Sequence, residues 1–164
     1  MTESHPTPAR ADHVVNSSRI DDVDKQIISL LQVDGRLAYS AIGRQARISE
    51  ASVRSRVHNL RRQGIIQIVA VTDPLQLGFS HEAMIAVTVA SDAQAVADEL
   101  AAIDEVDFIV LVAGSVDILL EVVAADDEEF LDLIQRIRHV VGQGTVRVHP
   151  YLKTRKQEYS WGVR

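Results

Sequence analysis

The sequence predicts an α+β chain: an N-terminal winged or three-helix helix-turn-helix domain, then a ferredoxin-like βαββαβ sandwich. Three observations predict it. Two amphipathic helical patterns lead through a tight turn into a third, arginine-rich one. Beyond residue 80 the pattern becomes strand, helix, strand, strand, helix, strand, in two halves of similar length. The charge also divides between the two regions. From Arg36 to Arg62 seven arginines face the single acid Glu50, whereas from Gly78 to Val141 fourteen acids face only Arg136 and Arg138. A polyanion suits the first region and is repelled by the second, so the net charge of −6 conceals two surfaces with different partners.

Length and composition bound the reading. A chain of 164 residues with 46% apolar residues can build one medium or two small cores. No uncharged run reaches the roughly 18 residues that a membrane helix needs. The opening stretch, residues 1–18, is polar with Pro, Ser and Thr, has no apolar run of signal-peptide type, and reads as a disordered tail. With no cysteine, thiolate metal sites, disulfides and thiol catalysis are all excluded. A cytoplasmic, nucleoid-associated location is the default expectation, and no cofactor is called for.

In chain order, Asp21 caps the first helix with Asp24 in the capping-box position. Val23, Ile27, Leu30 and Leu31 form its inner face, and Gly35 ends it. A shorter helix follows from about Tyr39 to Ala46, with Ala41, Ile42 and Ala46 inward. Arg47-Ile48 turns the chain into the stretch SEASVRSRVHNLRRQG, residues 49–64. There Ser49 is the cap, Glu50 meets the positive end of the helix dipole, Val53, Val57 and Leu60 give the buried stripe, and Gly64 is the stop. Away from the stripe lie Ser52, Arg54, Ser55, His58, Asn59 and Arg62. Hydroxyls early and cations later suit a helix whose first turn meets base edges while its flanks grip phosphates. A solvated basic surface on an ordinary core helix accounts for the same residues. The tight turn before it and the charge split favour nucleic acid.

Residues 65–72, IIQIVAVT, are β-branched and read as a strand, and Asp73-Pro74 with Gly78 makes the break into the second domain. The domain division expected is a tail at 1–18, a helix-turn-helix domain at 19–64, a strand and hinge at 65–80, and a sandwich at 81–164. Within the sandwich, strands are expected at Ala83 to Ala90, Asp107 to Ala113, Asp117 to Ala124 and Thr145 to about Thr154. Helices are expected at Ala93 to Ile103 and Asp127 to Val141. One antiparallel sheet with both helices on one face leaves an apolar face to be covered, and self-association is the economical cover.

The run from Ile20 to Phe79 resembles the DNA-binding half of the Lrp/AsnC, or feast/famine, transcriptional regulators. The marks are I-D-D-V-D-K-Q-I-I followed by L-L, then D-G-R at 34–36, and S-x-x-x-V-x-x-R-V-x-x-L ending in Q-G-I-I. The resemblance continues to the end of the chain, so only the tail lies outside it. It implies a second domain of the RAM type that binds a small effector, a hinge strand that shares in a homodimer contact, and a ring of dimers such as an octamer.

The loop Ala113-Gly114-Ser115-Val116-Asp117 is the place for small-molecule recognition. Gly114 permits close backbone approach, successive N–H groups can receive a carboxylate, and Asp117 can pair with an α-ammonium group. An ordinary strand connection satisfies the same G-x-x-D spacing. The resemblance implies that Gly114 and Asp117 belong to an amino-acid effector site between neighbouring dimers. The family's last strand usually brings Thr or Ser there; this chain has Val148-His149-Pro150-Tyr151 instead. His149 and Tyr151 are then the candidate polar contacts and Phe108 a candidate wall, with sheet packing the alternative for Tyr151 and core packing for Phe108.

Other constellations are weaker. None of His5, His13, His58, His81, His139 and His149 forms a pair with metal-ligand spacing. There is no G-x-S-x-G elbow, and Gly142-Gln143-Gly144 follows a helix, so it is a turn and not a phosphate loop. The basic stretch Lys153 to Lys156, before Trp161-Gly162, reads equally as a clamp on a partner subunit or a phosphate contact and as an exposed charged end. The expectation is a transcriptional regulator whose assembly or DNA affinity responds to a small amino acid or related metabolite. Arg44, Arg47, Arg54, Arg56 and Arg62 would grip phosphate, with Ser49, Glu50, Ser52 and Ser55 toward bases. The alternatives are an architectural nucleoid protein and, more remotely, an enzyme like the sirohaem decarboxylases that share this layout.

Overall fold

The structure is a computed structural model that describes residues 20–157. The expected tail, His5, His13 and Trp161-Gly162 lie outside the described residues. Two compact units divide between Val69 and Ala70.

The first unit holds α1 (Asp22–Val33), α2 (Tyr39–Ala46) and α3 (Glu50–Arg62). Asp21 and Asp24 form the capping box, each accepting from the other's backbone N–H, at 2.8 and 3.2 Å. Two orphan donors of the first turn are thereby satisfied. α1 ends one residue earlier than Gly35 suggests: Asp34 is the cap, in an extended conformation, and its carboxylate accepts from Arg36 N–H at 2.9 Å. An Asx-type turn therefore leads the chain out of the helix at Gly35. Ser49 caps α3 by accepting from Ser52 N–H at 3.1 Å, and Gly64 follows at φ 69°. Ile27, Ile42, Val53 and Val57 form the core, sealed by Val23, Leu30, Leu31, Leu37, Tyr39, Ile48 and Ile66. The α2–α3 turn is tight enough that a Cβ on Gly43 would sit 2.7 Å from the Ile48 carbonyl oxygen.

The strand expected at 65–72 does not form in the single chain. A strand exists only where a neighbour takes up its N–H and C=O groups, and none of the described sheet strands pairs with this segment. Ile66 packs on the helical core, while Ile68, Val69 and Val71 are exposed. A one-turn 3₁₀ helix at Pro74–Leu77 follows, capped by Asp73.

The second unit is β1 (His81–Thr88), α4 (Ala93–Leu100), β2 (Val106–Leu111), β3 (Ile118–Ala124), α5 (Asp127–Val141) and β4 (Thr145–Pro150). The strand order is β2-β3-β1-β4 with every neighbour antiparallel, the ferredoxin-like arrangement. α4 stops at Leu100 where Ile103 was expected, because 101–103 close into tight turns. β4 ends at Pro150, four residues short of the expected Thr154. Alternation sorts the side chains by face. Ala83, Ile85 and Val87 of β1 and Ile118, Leu120 and Val122 of β3 are buried with Leu100, Leu133 and Ile137 of the two helices. The face turned away from α4 and α5 presents Glu82, Met84, Leu119, Glu121, Phe108, Val110 and His149.

Candidate nucleic-acid interface and loop site

At 3.6 residues per turn, the burial of Val53, Val57 and Leu60 puts Ala51, Ser55, His58 and Arg62 on the outward side of α3. Glu50, Arg54 and Arg61 line one flank; Ser52, Arg56 and Asn59 line the other. The expected residues therefore fall into sets with different duties. Arg44, Arg47 and Arg62 are exposed, and among the described residues no ion pair or hydrogen bond engages their guanidinium groups. Arg61, which the sequence reading left out of the site, is equally free, and its position one residue before Arg62 was the available signal. Arg47 closes α2 in the left-handed region at φ 57°, the only non-glycine residue among those described to do so. Holding a side chain there costs about 1 kcal/mol, so the turn carries strain where a glycine would carry none.

Arg54 is held ahead of any contact. Its guanidinium meets Glu50 at 3.0 Å and lies 5.4 Å above the Tyr39 ring. Glu50 thus serves both the helix dipole and the aim of Arg54, and Tyr39, at the start of α2, is a further residue the sequence did not bring forward. Arg56 is engaged differently. It faces α1 and donates to Asp21 at 2.7 Å and Asp24 at 2.8 Å, tying the capping box to α3. The Asp24 N–H, then this guanidinium, hold the Asp21 carboxyl below the usual range; the Asp24 bond first, then Asp21, raises Arg56. Ser52, Ser55, Arg56 and Asn59 line a cleft of about 340 Å³ beside Asp24 and Ile20.

The 113–117 loop joins β2 to β3. Ala113, Gly114 and Ser115 are exposed, while Val116 and Asp117 are half-buried. Gly114 stands at φ 146°, and nothing lies within 4 Å of where its Cβ would be, so the backbone is open to approach. Asp117 is already engaged: its carboxylate accepts from the Val89 N–H at 2.9 Å. The remaining expected residues do not gather at this loop within one chain. By register, Phe108, Glu121, Met84 and His149 form one row across the uncovered sheet face. Phe108 is three residues back from the end of β2, about 10 Å along the strand. The Tyr151 hydroxyl donates to Glu121, and burial, then that carboxylate, pushes the phenol well above its usual range. Burial, then Glu121, raises both Glu82 and Asp107 on the same surface. The sequence pattern passed over these three acids, since acids on alternate strand positions look solvated until the register places them side by side.

Among the described residues no cluster of His, Asp or Glu has the makings of a metal site, and no helix is long and apolar enough to cross a membrane. His81 is committed to packing: it stacks on Phe130 at 4.8 Å and contacts Asp127 at 2.7 Å.

Residues 20–61 match the AsnC-type helix-turn-helix domain, and residues 82–161 match the Lrp/AsnC ligand binding domain. The HTH-type transcriptional regulator FL11 of Pyrococcus horikoshii is 35% identical over 143 residues, 84% of this chain and 93% of its own length. The crystal structure of the Mycobacterium tuberculosis leucine response regulatory protein LrpA superposes with a TM-score of 0.76 at 29% identity, covering 88% of this chain and 100% of that one. A feast or famine regulatory protein from M. tuberculosis, complexed with L-methionine, gives 0.75 at 28% identity, covering 87% and 99%. With a capped, arginine-bearing third helix in one unit, a ferredoxin-like sheet in the next, and both halves matched in that order, the chain belongs to the Lrp/AsnC family of helix-turn-helix transcriptional regulators.

Proposed function

We propose that this regulator binds operator DNA through α3 as a homodimer and answers to an amino acid received at the 113–117 loop. The observation that carries the DNA half is the set of unengaged guanidinium groups: Arg61 and Arg62 on a well-capped α3, and Arg44 and Arg47 on the helix and turn that lead into it. Ser49, Ser52, Ser55 and Asn59 are short enough to reach base edges from that helix, with His58 beside them. Residues 19–64 act as the reading head, 65–80 as the hinge, and 81–164 as the sensing and assembly domain. The uncovered sheet face, where Met84, Phe108, Val110 and Leu119 stand among Glu82, Glu121 and His149, and the unpaired 65–72 segment are the surfaces on which a second copy finds cover and strand pairing. A dimer then presents two α3 helices to successive major grooves, about 34 Å apart.

The effector half rests on Gly114. An exposed backbone at positive φ, with open space where a side chain would be, suits a ligand carboxylate laid against successive N–H groups. The L-methionine complex of the M. tuberculosis relative sets the ligand class to try first. Binding between dimers that alters their stacking into a ring, such as an octamer, would couple the loop to the DNA heads, and DNA must in return alter effector affinity by the same factor. The test is a titration of DNA from upstream of the chain's own gene at several salt concentrations, with and without each of the twenty amino acids. Site-selective retardation that one amino acid shifts is expected. Equal affinity for random duplex with no amino-acid response would overturn the reading in favour of an architectural role.

A further inference from the structure

The carboxylate the effector loop offers is not spare. Asp117 is fastened from three sides: its carbonyl accepts from Val112 N–H, its own N–H donates to the Val87 carbonyl, and its carboxylate accepts from Val89 N–H, each at 2.9 Å. Val112 follows β2, Val87 is the penultimate residue of β1, and Val89 begins the connection to α4. One residue therefore ties three chain segments together at the foot of the 113–116 loop. Its backbone bonds survive any substitution with an ordinary side chain, whereas the bond to Val89 requires a side-chain acceptor. Without that bond a half-buried N–H loses its partner and the β1–α4 connection is freed from the loop. Gly114 and Ser115, exposed and directed by no side-chain bond of their own, take their placement from this anchored end.

We infer that Asp117 is a positioning residue of the amino-acid site, acting through the Val89 N–H, and that its negative charge does not hold the ligand's ammonium. This rests on the reading of the 113–117 loop as the effector site. The requirement is for an oxygen acceptor at this point, which an asparagine side chain supplies as well as a carboxylate. A charge requirement would make asparagine as poor as alanine.

The experiment compares the full-length wild type with D117N and D117A. Hydrogen exchange at the Val89 amide is followed by NMR without ligand. Calorimetric titration then uses the amino acid that most raises the wild-type Tm in a screen of the twenty, L-methionine included. D117N is expected to keep Val89 protection and affinity within about threefold of wild type, and D117A to lose about tenfold or more in both. D117N that keeps the protection but loses about tenfold in affinity would overturn the inference and restore Asp117 as an ammonium partner, leaving the effector reading intact. Wild-type exchange at Val89 in D117A would overturn it as well. A wild type that binds none of the twenty removes the effector reading itself, and the inference with it. If D117A fails to fold, D117N alone decides, since only the charge hypothesis requires it to lose affinity.

Discussion

Two arginines six residues apart on α3 are expected to fail in opposite ways. Arg56→Ala removes a guanidinium with 31% side-chain exposure that bonds Asp24, itself only 16% exposed, and Asp21. An exposed pair is worth about 0–1 kcal/mol and a charge-assisted bond in shelter about 1.5–3 kcal/mol. The half-sheltered bond to Asp24 lies between, at about 1 kcal/mol after solvent screening. For a domain of this size that lowers Tm by roughly 4–8 °C. Arg62→Ala takes away an outward, unengaged cation, so its Tm should hold within a degree or two, a surface change being worth about 0.5 kcal/mol or less. The salt dependence of operator binding reverses the order: about 0.9 is lost from the log–log slope in Arg62→Ala, and nothing in Arg56→Ala. Circular dichroism melts and gel-shift titrations at four salt concentrations read both. The pH dependence adds a check on sign. The Asp21 carboxyl is lowered in the folded state, so its contribution is complete above the ordinary value of 3.8 and is lost as pH falls below it. The Tm gap between wild type and Arg56→Ala should therefore close in strong acid. An unchanged Tm with a slope reduced by about 0.9 in Arg56→Ala would refute this division and make Arg56 a phosphate contact.

Further outcomes follow from other sites. Gly43→Ala forces a Cβ to 2.7 Å from the Ile48 carbonyl and should destabilise the head by about 1–3 kcal/mol, read as a lower urea midpoint. Arg47→Gly relieves the left-handed strain at φ 57° but loosens the unfolded chain, so stability should stay within about 1 kcal/mol while operator affinity falls; a large loss of stability would show the strain argument to be mistaken. Glu82 is raised above the ordinary 4.5 by burial and neighbouring acids, so its penalty is absent below that value and grows as pH rises through the folded one. Glu82→Gln should accordingly raise Tm at pH 7 and leave it unchanged near pH 4; a higher Tm at both would remove the electrostatic explanation. Gly114→Thr should abolish any effect of amino acids on assembly, and an unaltered light-scattering response would count against the loop.

The sequence made the helical head legible because its signals are local. The Asp21–Asp24 box, the Ser49 cap and the Val53–Val57–Leu60 stripe each lie within two turns, and α2 and α3 keep the expected limits. The sandwich followed from its alternating runs, with α5 at its expected bounds, because burying one face of a sheet imposes a period of two that survives in the residues. What escaped was non-local. Arg56 looked like its neighbours until α1 folded beside it and presented two carboxylates. Spacing alone marked Asp117 as a candidate, and gave no hint that its carboxylate accepts from the Val89 N–H, far back in the chain. The row of Phe108, Glu121, Met84 and His149 depends on strand register, which no spacing within a single strand reveals. The strand at 65–72 was read from composition, but composition supplies only willingness to extend, not the second edge that makes a strand.

That unpaired stretch has a consequence for how the protein survives. Val69 and Val71 are 68% and 59% exposed, on backbone that from Ile66 to Asp73 belongs to no helix or sheet, and Leu75 and Leu77 in the 3₁₀ turn beyond are 57% and 61% exposed. Such a segment threads readily into a protease cleft. A nick there would cut the peptide link between the arginine-bearing helices and the ligand-binding domain, leaving each half without the other. Shielding this segment promptly after synthesis thus guards the regulator against being divided into parts that no longer answer to one another.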